Sequence, residues 1–257
     1  VEMLHNFTLL HDDIMDCSPL RRGKPTVFRK YDQNKAILSG DAMFACAFKY
    51  LLQCDKEVIP QLTETLTRGA IEVCEGQGFD MDFENRQTVS TDEYLQMIKL
   101  KTGVLLSTAL QLGAITAKAD EKTLNLLDTF GKYIGIAFQI KDDMLDCWSD
   151  LDTFGKVCGA DIIDRKKTFL YITALESATQ TQRQELLSLY ENTTLDKDEK
   201  IQKVRAIYEQ LSVAQKAQKA VEEYNSEAFE ALEQIEVAPQ RKATLIEVAK
   251  KLINRNK

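Results

Sequence analysis

The sequence predicts an all-α fold, a single-domain helical bundle, and three observations carry that expectation. Only four prolines and eleven glycines interrupt 257 residues. Long windows repeat apolar residues at i, i+3, i+4 and i+7, the spacing that gives a helix one buried face. Few windows show the strict alternation of a half-buried strand.

The elements follow in order. "VEMLHNFTLLHDD" is in helical register from Val1, with no initiator Met and no N-cap residue ahead of it, so the sequence is expected to lack N-terminal helices. Ser90 and Glu93 have capping-box spacing. Behind them Tyr94, Ile98, Leu105, Ala109 and Leu112 are expected on one apolar stripe of a continuous helix, with Lys101 in the middle of it. A buried lysine is costly unless an anion meets it or its stem snorkels to water. "ENTTLDKDEK" (191–200) reads as a surface loop. The stretch 147–169 is the longest break in the helical pattern; it reads as a mobile connection with Gly155, Gly159, Lys156, Lys166 and Lys167. The basic end "KKLINRNK" complements a helix dipole.

Composition narrows the function. A net charge of −7 argues against a general nucleic-acid binder. Six cysteines without a CxxC pair, and only two histidines, point to thiols in a reducing cytoplasm rather than to zinc or disulfides. No apolar run reaches transmembrane length, and no signal peptide is visible.

Two acidic clusters carry the chemistry. "LLHDDIMDCSPLRRG" places Asp12, Asp13 and Asp16 directly after an apolar run. Asp12 and Asp16 are four apart, on one helix face, where like charges repel unless a cation bridges them. Hard divalent cations take carboxylate oxygens, and Mg²⁺ usually adds substrate phosphate oxygens. Arg21 and Arg22 fit as phosphate forks. In "GIAFQIKDDMLD" the same kind of pattern returns: Gly135, Gln139, Asp142 and Asp146 make a polar stripe on an otherwise apolar helix. Acids are rarely kept in a core unpaired, so two such clusters facing each other across a bundle are expected to hold divalent ions.

With "DDIMDCSPLRRGKP", "GQGFD", "KTG", "FQIKDDMLD" and "TFGKVCGADIIDRKKT" in this order, the sequence resembles the trans-isoprenyl diphosphate synthases, the group of farnesyl and geranylgeranyl diphosphate synthases, from Val1 through nearly the whole chain. The resemblance implies one isoprenoid synthase domain over 1–257, wrapped around a deep apolar cavity. It also implies a Mg²⁺-dependent condensation of isopentenyl diphosphate with an allylic diphosphate, using three Mg²⁺ ions. Asp12, Asp16 and Asp142 match direct metal ligands, and Asp13, Asp143 and Asp146 match supporting or water-mediated ones. Arg21, Lys101 and Lys156 match holders of the allylic diphosphate, with Thr102, Gln139 and Lys166 around it. His5, Arg22 and Phe138 match the isopentenyl diphosphate side. Members are commonly homodimers.

Two departures stand out. Arg165 precedes Lys166 where the family commonly has glycine, and the upstream "GKRxRP" element is absent. Residues four and five before Asp12 are Thr8 and Phe7, one helical turn of about 5.4 Å deeper, close to one isoprene unit. Bulk at Phe7 with no insertion in DDIMD resembles geranylgeranyl-type enzymes, giving C20 as the expected product and farnesyl diphosphate (C15) as the alternative. A non-catalytic partner subunit is disfavoured because both acidic motifs are present, and a terpene cyclase because the second motif is fully acidic.

Overall fold

A computed structural model of the chain describes residues 1–148 and 159–253. The described residues are helical apart from turns and one two-stranded ribbon, so the all-α expectation holds. The chain falls into two compact units, Val1–Ile71 with Thr108–Asn125, and Glu72–Ser107 with Leu126–Lys257.

In the first unit, α1 (Glu2–Met15) packs along α3 (Gln33–Leu51). The close approach is set by Gly40, where a Cβ would run into the His11 ring. Between these helices, β1 (Leu20–Arg21) and β2 (Lys24–Pro25) pair antiparallel, followed by the short α2 (Val27–Lys30). The ribbon turns on Arg22 and Gly23, whose φ values of +53° and +73° make a two-residue hairpin with both central residues left-handed. The buried Thr26 closes it, its Oγ1 donating to the Ser18 carbonyl at 2.8 Å. The helical reading of this stretch missed the ribbon because two-residue strands leave no periodicity to detect.

In the second unit the long helix α7 (Glu121–Trp148), whose first residues belong to the first unit, is packed through glycines. Cβ atoms on Gly131 and Gly135, one turn apart, would strike the backbone of Ser107 and Gly103, and one on Gly76 of α4 (Ile59–Glu84) would strike Lys101. α5 (Thr91–Ile98) begins at the predicted capping box: Ser90 accepts from the Glu93 amide, and Glu93 accepts from the Ser90 amide at 2.9 Å. It runs into a π-helical turn, Lys99–Gly103, before α6 (Val104–Thr116).

That turn corrects the predicted stripe. Tyr94, Ile98 and Leu112 are buried as expected, but Ala109 is exposed and Leu105 only half-buried. A π turn spends one extra residue per turn, which rotates everything after it. The buried face of α6 therefore runs through Val104, Ser107, Thr108, Gln111, Leu112 and Ile115.

After the undescribed 149–158 come α8 (Ala160–Ile163), α9 (Phe169–Ser177), α10 (Gln180–Glu191), α11 (Lys197–Gln210), α12 (Val213–Glu233) and α13 (Pro239–Ile253). Of the stretch 191–200, residues 192–196 are the expected loop, whereas Lys197–Lys200 open α11. Asp196 caps α11 by accepting from the Asp198 and Glu199 amides, and Lys200 is buried. The Lys200 amine donates to the Tyr190 and Asn192 carbonyls at 2.9 and 3.2 Å, closing the end of α10. No helix among the described residues is long and apolar enough to cross a membrane, and the described cysteines form no disulfide.

Candidate active site

Each unit carries one acidic motif. In the first, the apolar spacing of α1 buries Leu4 and brings Asp12 and Asp13 to the last turn, where the hairpin returns Arg21 to them. Arg21 Nη2 donates to Asp12 Oδ2 at 3.0 Å and its Nε to Asp13 Oδ1 at 2.7 Å. Asp13 is buried, and burial pushes its carboxyl up while the guanidinium pulls it back. Asp16 is the exposed C-cap of α1, its amide donating to the Asp12 carbonyl at 2.9 Å. Arg22 is exposed at the hairpin tip. His5 sits two turns before Asp12 on α1, half-buried, Nδ1 3.9 Å from Glu2 Oε2. Thr8 Oγ1 bonds back to the His5 carbonyl at 2.8 Å. Phe7 turns toward α3, its ring meeting His11 edge-on at 4.7 Å and Phe44 at 5.1 Å.

In the second unit, α7 carries Phe138, Gln139, Asp142, Asp143 and Asp146. Phe138, Gln139, Asp142 and Asp146 are half-buried, whereas Asp143 points into the core at 4% exposure. Its Oδ2 accepts from the Tyr94 hydroxyl at 2.5 Å and the Phe169 amide at 3.0 Å, and its Oδ1 from Gln139 Nε2 at 3.4 Å. Gln139 Oε1 in turn accepts from Thr102 Oγ1 at 3.2 Å. Burial and the charges of Asp161 and Asp142 push Asp143 well above the usual carboxylate range, against its two short hydrogen bonds. Lys101, on the π turn, is met by an anion from within the chain: its amine lies 2.6 Å from Asp80 Oδ2.

Three residues of this unit were not singled out by their sequence pattern. Asp80 stands in the quoted "GQGFD", but nothing in its spacing ties it to Lys101. Tyr94 reads as an ordinary core aromatic. Asp161 lies within the break in helical pattern at 147–169, and its amide donates to Asp146 Oδ2 at 3.1 Å. Burial, then the charge of Asp146, raises the Asp161 carboxyl to about 7, with the Lys166 charge opposing. Lys166 is half-buried on the segment after α8, its amide donating to the Asp161 carbonyl at 2.9 Å. Lys156 lies outside the described residues.

Among the described residues, no group of three or more His, Cys, Asp and Glu side chains is gathered closely enough to hold a metal by itself. The donor chemistry nevertheless fits Mg²⁺. Both motifs offer hard carboxylate oxygens, too few at either to build an all-protein cage. Mg²⁺ takes one or two carboxylates and completes its shell with water and substrate phosphate oxygens.

Comparison with known proteins identifies the family. Residues 1–211 match the family Polyprenyl synthetase. A short chain isoprenyl diphosphate synthase of Methanocaldococcus jannaschii is 42% identical over 78% of this chain and 61% of its own length. A geranylgeranyl pyrophosphate synthase of Geoglobus acetivorans is 37% identical over 100% of this chain and 78% of its own. A crystal structure of a geranylgeranyl pyrophosphate synthase superposes with a TM-score of 0.94 at 44% identity, covering 100% of this chain and 79% of that one. For several curated relatives the chain spans only 52 to 62% of their length. With its two aspartate motifs, its arginine hairpin and a family match over most of its length, the chain belongs to the polyprenyl synthetase family.

Proposed function

We propose that the chain is a short-chain trans-prenyltransferase. It condenses isopentenyl diphosphate with an allylic diphosphate, depends on Mg²⁺, and makes mainly the C20 product, geranylgeranyl diphosphate. The observation that carries this reading is the Arg21 clamp: two adjacent carboxylates, one buried, share one guanidinium within 3.0 Å. Such a cluster holds its charges in exchangeable pairs and is suited to trading them for a metal and a diphosphate. The names of the similar geranylgeranyl diphosphate synthases support the product.

The residues divide the work. Arg21 and Lys101, with Lys156 and Lys166, hold the allylic diphosphate, and Thr102 and Gln139 orient it. Arg22 and His5 take isopentenyl diphosphate, with Phe138 beside it. Mg²⁺, when bound by the aspartates, offsets the charge that builds on the departing diphosphate. The allylic C–O bond breaks, the double bond of isopentenyl diphosphate attacks the cation, and the departed diphosphate takes the proton. Phe7 stops the growing chain. We place the enzyme in the cytoplasm as a homodimer, a state that the exposed Ile37 and Leu38 on α3 support.

The test is incubation with Mg²⁺, radiolabelled isopentenyl diphosphate and each allylic primer in turn, followed by sizing of the products. A C20 product that vanishes in Asp12→Ala is expected. Chains beyond C25 overturn the product length, and no product with Mg²⁺ and pyrophosphate still bound points to a non-catalytic partner subunit.

A further inference from the structure

The second motif contains one aspartate that is buried rather than presented. Asp143 lies between Asp142 and Asp146 in sequence but faces the core, tied directly to two other segments and, through Gln139 of its own helix, to a third. Tyr94 from α5 donates to its Oδ2 at 2.5 Å. The first amide of α9, Phe169 N–H, donates to the same oxygen at 3.0 Å. Gln139 reaches Oδ1 at 3.4 Å and is itself held by Thr102 of the π turn at 3.2 Å.

Successive helix residues point about 100° apart, so a side chain locked at one position fixes the rotation of the whole turn. Tyr94 is well placed to act as the lock. Its hydroxyl is buried with its ring at 3% exposure, and its ring packs on Phe169 at 6.2 Å. Its helix is fixed at the start by the Ser90–Glu93 capping box. A buried carboxylate that lost this donor would have to turn toward another partner, and α7 would follow it.

We propose that Tyr94 is a positioning residue for the second acidic motif: by pinning Asp143 it sets the direction in which Asp142 and Asp146 offer their oxygens to metal and diphosphate. Through Phe169 the same carboxylate ties the segment bearing Lys166 to that direction. The inference rests on the prenyl synthase reading and adds to it a residue that touches neither metal nor substrate.

The test compares Tyr94→Phe with Tyr190→Phe in the full chain. Both remove one hydroxyl from an equally buried tyrosine; that of Tyr190 pairs with the Tyr208 hydroxyl at 2.8 Å rather than with an aspartate of the motif. Mg²⁺ binding is measured calorimetrically with inorganic pyrophosphate present, beside the melting temperature and the Mg²⁺ dependence of kcat and KM. Removing a group that orients a metal ligand costs about 10- to 100-fold in metal affinity. Tyr94→Phe is expected to show that loss, whereas Tyr190→Phe is expected to lower only the melting temperature. If Tyr94→Phe does not fold, Ser90→Ala, which loosens α5 without touching the hydroxyl, is expected to give a smaller shift in the same direction. Parent-like Mg²⁺ binding in Tyr94→Phe, or in a folded Ser90→Ala standing in for it, overturns the inference and leaves the enzyme reading intact. A parent chain that binds no Mg²⁺ with pyrophosphate overturns both.

Discussion

Arg21 and Asp13 form the tightest charged contact of the first motif, Nε to Oδ1 at 2.7 Å, and the same guanidinium reaches Asp12 at 3.0 Å. A planar fork can hold two carboxylates at once, and it can pass to a diphosphate without losing its geometry. Lysine keeps the charge and loses the fork. Arg21→Lys is therefore expected to weaken inorganic pyrophosphate binding by about 10- to 100-fold, the equivalent of one charge-assisted hydrogen bond of about 1.5–3 kcal/mol. Calorimetric titration with Mg²⁺ present measures it, and an unchanged affinity refutes the phosphate role of Arg21.

Glycines in α4 and α7 make opposite predictions from the same substitution. A methyl on Gly135 would enter the Gly103 backbone, which cannot move aside. Gly135→Ala is expected to destabilise by about 1–3 kcal/mol or more. Gly78 is exposed inside α4, and a methyl added there would meet nothing within 4 Å, so Gly78→Ala is expected to stabilise by about 0.5–1 kcal/mol. Urea unfolding of the two variants decides the signs.

What the sequence made legible was whatever has a period or a cap. The spacing of Asp142 and Asp146 placed both on α7, and the Ser90–Glu93 pair marked the start of α5 correctly. The π turn at Lys99–Gly103 has no residue signature, so the predicted face slipped by one residue and Ala109 came out exposed. Lys200 reads as loop from sequence because the stretch around it is polar. Only the three-dimensional fold brings the carbonyls at the end of α10 to its amine. Asp80 and Tyr94 lie 21 and 49 positions from the partners they serve, Lys101 and Asp143, and no local pattern encodes such a pairing.

The cap of α5 also predicts a pH response. Glu93 is held at about 2, first by its bond from Arg86 at 2.8 Å and then by the Ser90 amide and hydroxyl. Its folded value lies below the ordinary 4.5, so the folded state favours the ionised form. The stabilisation it gives is complete above about pH 4.5 and disappears as the pH falls toward 2. The difference in melting temperature between the parent and Glu93→Gln is therefore expected to be largest near neutrality and to shrink through that window. A difference that stays constant from pH 6 to pH 2.5 contradicts the assignment.

The proposed product length rests on a row of rings. Phe7 lies on α1 about one turn before Asp12, and its ring meets Phe44, which meets Phe48 at 5.2 Å. The row gives the proposed floor a rigid backing, since a ring supported by two others cannot swing away to admit a longer chain. Phe7→Ala removes the first ring and frees about one turn, 5.4 Å, close to one isoprene unit. The expected product shifts from C20 to C25, with Phe44 then exposed to the chain end. The double variant Phe7→Ala/Phe44→Ala is expected to extend it again. Each truncation leaves a void beside half-buried rings, so a lower melting temperature accompanies the change. Chromatography of the dephosphorylated products reads the length directly. A Phe7→Ala enzyme that still stops at C20 would show that the limit lies elsewhere than on α1.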